Sequence, residues 1–186
     1  MYFSYYDTRE APVYEFDSHT GAIRETENRY HFGMVYGGLR TRDRSKVYLV
    51  DLFGNLYVFH VARAKVEDLG TILPRDQAEA GVEVKVCYSI TLSPDEKKLY
   101  TFPSQLDGAT GLKLYEHDLT TGQNRQVADF YPVLNGSVTG RKNADAHGRI
   151  TGSGVVDEQG RLYFGYHEGG DEGRGVALLQ VSLGAE

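Results

Sequence analysis

The 186-residue sequence predicts an all-β fold assembled from repeated four-stranded meanders, and three observations carry that prediction. The first is composition: 14 tyrosines and eight phenylalanines suit pleated, half-buried surfaces, and 22 glycines supply turn positions. The second is that no segment sustains a helical period with caps; residues 77–80 allow one helical turn, which Gly81 ends. The third, internal repetition, decides the matter. A turn containing Asp, followed by a basic residue, an aliphatic residue and a tyrosine, recurs at residues 42–52 (RDRSKVYLVDL), 93–102 (SPDEKKLYTF) and 156–166 (VDEQGRLYFGY). This aligns Tyr48, Tyr100 and Tyr163. A second series follows each copy: NLYVFHVAR, KLYEHDLTTG and GVALLQVSLG. The start of the chain carries the same pair as MYFSYYD and VYEFDSHTG.

Each unit thus supplies about four short strands, A to D from inner to outer, which is the per-blade pattern of a β-propeller. The units fall at about 1–32, 33–74, 82–131 and 148–186 of a single propeller segment, with a long loop at 131–149. The first unit provides B, C and D. In the second, A is near 35–41, B is 46–52, C is 55–63 and D is about 66–73. In the third, A is 84–92, B is 98–102, C is 112–119 and D is 125–130. The fourth provides A at 150–156, B at 162–166 and C at 176–183. DLFGN and LTTGQ read as hairpin turns in which glycine takes positive φ. VYGGLRT and ITGSGVV suit inner strands, where blades converge and close approach of backbone favours glycine. Two incomplete outer units lead to the expectation of a C-terminal part of a propeller of roughly six to eight blades. Closing such a ring calls for further blades of the same protein or for a second copy.

Composition removes several classes of function. A formal charge of −6 and dispersed Lys and Arg argue against nucleic acid as a partner. The one basic run, Arg40 to Lys46, is broken by Asp43 and falls in a tight turn. A single cysteine, Cys87, excludes an internal disulfide and any multi-cysteine zinc site, and its strand context predicts a small core residue. No stretch approaches the ~18–20 apolar residues of a membrane span. MYFSYYDTREAP lacks the pattern of a secretion signal. Location is left open, with secreted or periplasmic as the expectation should a leader lie outside this chain.

The blade texture of SPDEKKLYTF and GLKLYEHDLTTGQ resembles the broad superfamily of bacterial propellers of the quinoprotein, lactonase and surface-repeat kinds. GVVDEQGRLYFG is similar to the D-x-x-G-x-L-Y hairpin of gluconolactonase-like propellers. The resemblance covers nearly the whole chain and implies a fold only, because that superfamily spans lyases, lactonases, dehydrogenases and non-catalytic scaffolds. The chain has no Trp, so the signature of tryptophan–aspartate repeats is missing.

Strand parity predicts where a site belongs. In antiparallel meanders the A–B and C–D turns share one edge, and the B–C and D–A connections share the other. The short turns (RDRS, PDEK, DEQG, HTG, TTG) all fall in the first class. The long connections, residues 74–83, 103–111, 131–149 and 167–174, all fall in the second. Loops on a rigid scaffold are the usual carriers of function.

Two of these connections are rich in chemistry. One holds Arg141, Lys142, Asn143, Asp145 and His147; the other holds His167, Glu168, Asp171, Glu172 and Arg174. His147 is the candidate catalytic base, and Arg141, Lys142, Asn143, Asp145, His167, Glu168 and Arg174 are the candidate binding residues. The alternative is that both segments are glycine-rich tips whose charges face water. A divalent metal is compatible with two histidines and a carboxylate, but neither segment has the spacing of a calcium loop or zinc helix, so the cofactor is left unassigned. His19 in a turn, and His60 and His117 in C strands, read as structural; His31 lies on the loop-bearing side. GGDEGRG precedes no helix and so forms no phosphate cradle. The sequence therefore supports a propeller module that binds a small molecule, glycan or protein on its loop-rich face. The alternative is a polysaccharide-lyase or lactonase type of enzyme acting on an acidic sugar, in which Arg141 or Lys142 neutralises a carboxylate.

Overall fold

The computed structural model describes residues 2–4, 11–30, 35–51, 53–73, 85–105, 113–130, 149–167 and 176–183. They form 14 β-strands in an all-β, propeller-like fold of consecutive meanders. The first meander is a three-stranded sheet of β1 (Tyr2–Ser4), β2 (Ala11–Phe16) and β3 (Ile23–Tyr30). The second is a four-stranded sheet of β4 (Val35–Arg40), β5 (Lys46–Asp51), β6 (Asn55–His60) and β7 (Lys65–Thr71). The third comprises β8 (Lys85–Leu92), β9 (Lys98–Gln105), β10 (Lys113–Asp118) and β11 (Asn124–Asp129). The fourth comprises β12 (Arg149–Val156), β13 (Leu162–His167) and β14 (Val176–Val181). Within each meander all pairings are antiparallel; inner strands β8 and β12 pair in parallel at Gly152↔Ser89 and Ser153↔Ile90, which joins the last two meanders into one seven-stranded sheet.

The repeat read from sequence is a repeat in register. Tyr48 pairs with Leu39 and Val58, Tyr100 with Thr91 and Glu116, and Tyr163 with Val155 and Gln180. The three tyrosines therefore hold one structural position. Carried along the C strands, the same alignment makes Val13, Leu56, Leu114 and Leu178 equivalent, and likewise Glu15 and Glu116.

Because side chains alternate across a strand, each meander has two faces, a front bearing the repeat tyrosine and a back bearing its neighbours. Both are apolar, and each packs against a different meander. Val13 of the first meander meets Tyr57, Phe59 and Val66 on the back of the second. The front of the second, with Tyr48, Val50, Leu56, Val58 and Ile72, meets Cys87, Ile90 and Leu99 on the back of the third. The front of the third, with Tyr100, Phe102 and Leu114, meets Leu162, Phe164 and Val181 on the back of the fourth. Phe102 and Phe164 make an edge-on contact there, with ring centroids 4.8 Å apart. These three face-to-face cores are the main source of stabilisation, at roughly 1.5–3 kcal/mol for each fully buried large apolar side chain.

Inner strands are slim for a reason that differs in detail from expectation. A Cβ on Gly154 would sit 2.8 Å from Thr91 Cβ and 2.9 Å from Phe164 Cε1, and one on Gly37 would sit 2.8 Å from Ile90 Cγ1. Neighbouring side chains, more than backbone, exclude bulk. The short turns are closed by Asx bonding: Asp118 accepts from the N–H groups of Thr120 and Thr121, and Asp157 from those of Gln159 and Arg161. Gly54 (φ 78°) and Gly122 (φ 70°) take the left-handed conformation that their turns require.

Two strand limits are corrected. The C strand expected to run to residue 63 stops at His60, where Val61–Arg63 forms a 3₁₀ turn closed by Ala64 N–H on Val61 O, while Val61 N–H turns to Ser45 O. The B strand expected to end at residue 102 continues through Pro103 to Gln105. A bulge between Cys87 and Ile90 sets Pro103 opposite Cys87, where the ladder shifts and a missing N–H is tolerated. The connection predicted at 103–111 begins correspondingly later.

Candidate functional site

The strand ends settle which edge carries the long connections. In the seven-stranded sheet, Lys85 pairs with Gln105, Lys113 with Asp129, Arg149 with His167, and His167 with Val176. Strands β8 and β12 run parallel, so all these residues stand along one edge. From that edge the chain departs at 105, 129 and 167 and returns at 113, 149 and 176. The opposite edge carries the tight turns at 93–97, 119–123 and 157–161. The parity expected from sequence holds in the described strands.

Arg141, Lys142, Asn143, Asp145, His147, Glu168 and Arg174 lie outside the described residues, as do His31, Asp171 and Glu172. Of the candidates, His167 alone has a described backbone, at the end of β13 opposite Arg149. The register thus brings the last residue before one chemistry-rich connection beside the first residue after the other. Among the described residues no group of three or more His, Cys, Asp or Glu stands ready to hold a metal ion.

The histidines read as structural sit as read. His60 Nε2 lies 3.0 Å from Glu67 Oε2, and buried His117 Nδ1 lies 2.7 Å from Asn124 Oδ1. Cys87 is buried, with its sulfur 2.8 Å from Thr101 Oγ1, and burial pushes its thiol up to about 12. It is a core residue and no nucleophile.

Among the described residues a dense charge cluster lies elsewhere, in a cleft of about 570 Å³ between the third and fourth meanders. Ser93, Pro94 and Asp95 of a tight turn form one wall, Lys98, Tyr100, Glu116 and Arg125 the floor, and Leu183 the far side. The cleft therefore lies towards the short-turn edge, opposite to the predicted site. Its floor is a cross-strand row: Tyr100, Glu116 and Arg125 are direct neighbours on β9, β10 and β11. Buried Glu116 accepts from Arg125 Nε at 2.8 Å and Nη2 at 3.3 Å and from the Tyr100 hydroxyl at 3.1 Å, with Lys98 Nζ at 3.4 Å. Burial by itself raises the Glu116 carboxyl; the Arg125 and Tyr100 hydrogen bonds and the two cations outweigh it and hold the group below its ordinary range. Burial, with the adjacent carboxylate, drives the Tyr100 phenol upward. A carboxylate so engaged acts as an ion-pair hub and not as a proton acceptor for a substrate.

Sequence reasoning passed over this row, although its signal was present. Glu15 and Arg24 repeat the spacing of Glu116 and Arg125, pair in the same register and form the same ion pair. Extending the repeat alignment into the D strand would have found it.

No family model matches the chain, and no curated protein matches it. Among solved structures it is similar to an oligogalacturonate lyase from Vibrio parahaemolyticus, with TM-score 0.52 and 14% identity over 87% of this chain and 41% of that one. It is also similar to a protein of unknown function from Bacteroides thetaiotaomicron, with TM-score 0.50 and 12% identity over 90% of this chain and 40% of that one. A putative 6-phosphogluconolactonase from Bacteroides uniformis matches at TM-score 0.46 and 12% identity, over 94% of this chain and 55% of that one. The chain thus spans about half or less of the length of these proteins. At such identities the first two likenesses show the propeller-like fold alone, and no helix among the described residues is long and apolar enough to cross a membrane.

Proposed function

We propose that the chain is a ligand-binding module whose site lies on the edge bearing the long connections, with an acidic glycan as the favoured ligand class. The carrying observation is the common edge: Gln105, Asp129 and His167 end there, and Lys113, Arg149 and Val176 begin there. The connections that join them hold Arg141, Lys142 and Arg174, which suit a carboxylate, and His147, Asn143, Asp145 and Glu168, which suit hydroxyls. The test is calorimetric titration with matched acidic and neutral oligosaccharides. Binding of the acidic set, weakened at least tenfold in Arg141→Ala and His147→Ala, supports the reading. Equal affinity for neutral sugars, or variants that bind as the parent does, refutes it.

A second reading, lyase-type chemistry on an acidic sugar, draws on the pairing of Arg149 with His167 and on the fold shared with a protein described as an oligogalacturonate lyase. There His147 would take the proton next to the carboxylate while Arg141 or Lys142 steadied the developing charge, and the β-carbon–oxygen glycosidic bond would then break, its oxygen leaving with a proton from water as the double bond forms. Ultraviolet absorbance from an unsaturated product, lost in His147→Ala, would support it. Tight binding without such product would leave the module reading in place.

A further inference from the structure

The three internal cores obey one rule: the front of each meander packs on the back of the next. Equivalent positions show where that rule is left open. Leu56 and Leu114 are fully buried, each on the front of its meander against the next. Leu178, their counterpart on the front of the fourth meander, is 70% exposed. Val155, the counterpart of buried Thr91, is 66% exposed on the same face, on β12 across β13 from Leu178. Together with Tyr163 and Gly165, and with exposed Gln180 opposite Tyr163 as its polar member, they make a largely apolar sheet face of the kind that is buried at every other copy.

The other end of the stack carries the matching half. On the back of the second meander Val66 pairs with Phe59 and is buried in the core against the first. Ile23, which pairs with Phe16 at the corresponding place on the back of the first meander, is 61% exposed. One chain therefore presents exposed apolar side chains on one outer front, Leu178 and Val155, and on one outer back, Ile23, at the positions that its three internal junctions bury.

We infer that a second copy of this chain covers both faces, the fourth meander of each copy stacking front-to-back on the first meander of the other. The contact is heterologous, and two such junctions close a two-fold dimer. Its centre at one end is Leu178, Val155 and Tyr163, and at the other Ile23.

Sedimentation velocity on the 186-residue chain tests this across a concentration series, with Leu178→Glu and Ile23→Glu as variants. The expected result is a species of twice 20.8 kDa in the parent. Each variant alone should weaken association at least a hundredfold, with circular dichroism and melting of the monomer unchanged. Mixing the two variants restores a dimer, since one of the two junctions is then built from intact faces. A 20.8 kDa species at every concentration overturns the inference and hands the faces to another polypeptide. An open ladder of larger species overturns the closed dimer. Variants that fail only when unfolded are identified by their spectra, and Val155→Lys then carries the same test on the same face. A mixture that stays monomeric rejects the front-to-back arrangement.

Discussion

Glu116 and Glu15 allow one ion pair to be weighed in two settings. Both pair with an arginine nine residues later in the same cross-strand register. The Glu116 side chain is 8% exposed, whereas that of Glu15 is 27% exposed and its Arg24 partner lies largely in solvent. Replacing Glu116 by Ala strands the buried Tyr100 hydroxyl, at about 1–3 kcal/mol for an unsatisfied buried group. Arg125 is more than half exposed and rehydrates, so its loss adds only ~0.5–1 kcal/mol. Relief from holding a carboxylate out of water offsets part of this, leaving a net cost of roughly 2 kcal/mol. Glu15→Ala should cost at most about 0.5 kcal/mol. Urea unfolding monitored by tyrosine fluorescence measures both, and with slopes of ~1–3 kcal/mol per molar the first variant shifts the midpoint by about 1 M. Glu116→Gln, which keeps an acceptor for Tyr100, should fall between the two. Equal losses for Glu116→Ala and Glu15→Ala would show that burial does not set the worth of this pair.

Three further outcomes follow from the same structure. Gly154→Ala forces a methyl within 2.8 Å of Thr91 Cβ and should destabilise by about 2–3 kcal/mol; a neutral result in thermal melts would deny the close approach of inner strands. Cys87, its thiol raised to about 12 by burial, should resist a disulfide reagent at mildly alkaline pH until urea unfolds the chain, and rapid labelling of the native state would contradict its placement. Asp43, held by the Thr41 hydroxyl and by the Ser45 N–H and hydroxyl, and Asp157, where bonds from Arg161, Tyr163 and Gln159 outweigh burial, are both lowered from 3.8 to about 2. Their folded values lie below the unfolded ones, so the stabilisation is whole above 3.8 and disappears as pH falls towards 2. The melting temperature should drop through that window, and Asp157→Asn should flatten the slope.

What the sequence disclosed was set by what repetition preserves. Tyr48, Tyr100 and Tyr163 could be aligned because the Asp-containing turn before each fixes the strand that follows, and a register built on hydrogen bonds keeps that spacing. The bulge opposite Pro103 was not legible, because an added residue in β8 leaves no mark on a hydrophobic alternation only eight residues long. Nor could alternation reveal which meander each face would meet: Leu99 and Tyr100 are adjacent in sequence yet belong to different cores. The Glu116 row was hidden for a related reason. A charged residue in a C strand reads as solvated until a neighbouring meander is seen to close over it. The edge that bears His167 and Arg149 was legible from parity alone, since counting strands requires no knowledge of side-chain contacts.

The alternation of faces has a mechanical corollary. Among the described residues of one copy, the second and third meanders each share a core with a meander on both sides, whereas the first and fourth each share one with a single neighbour. Stability in such a stack is a sum over nearest-neighbour junctions, as in a linear array of repeats. In the dissociated 186-residue chain, opening should begin at β1–β3 and β12–β14 and advance inward like the loosening of a row of books, whereas the inferred dimer should protect both ends. Amide hydrogens of β5, β6, β9 and β10 should then exchange last, at the free energy of global unfolding.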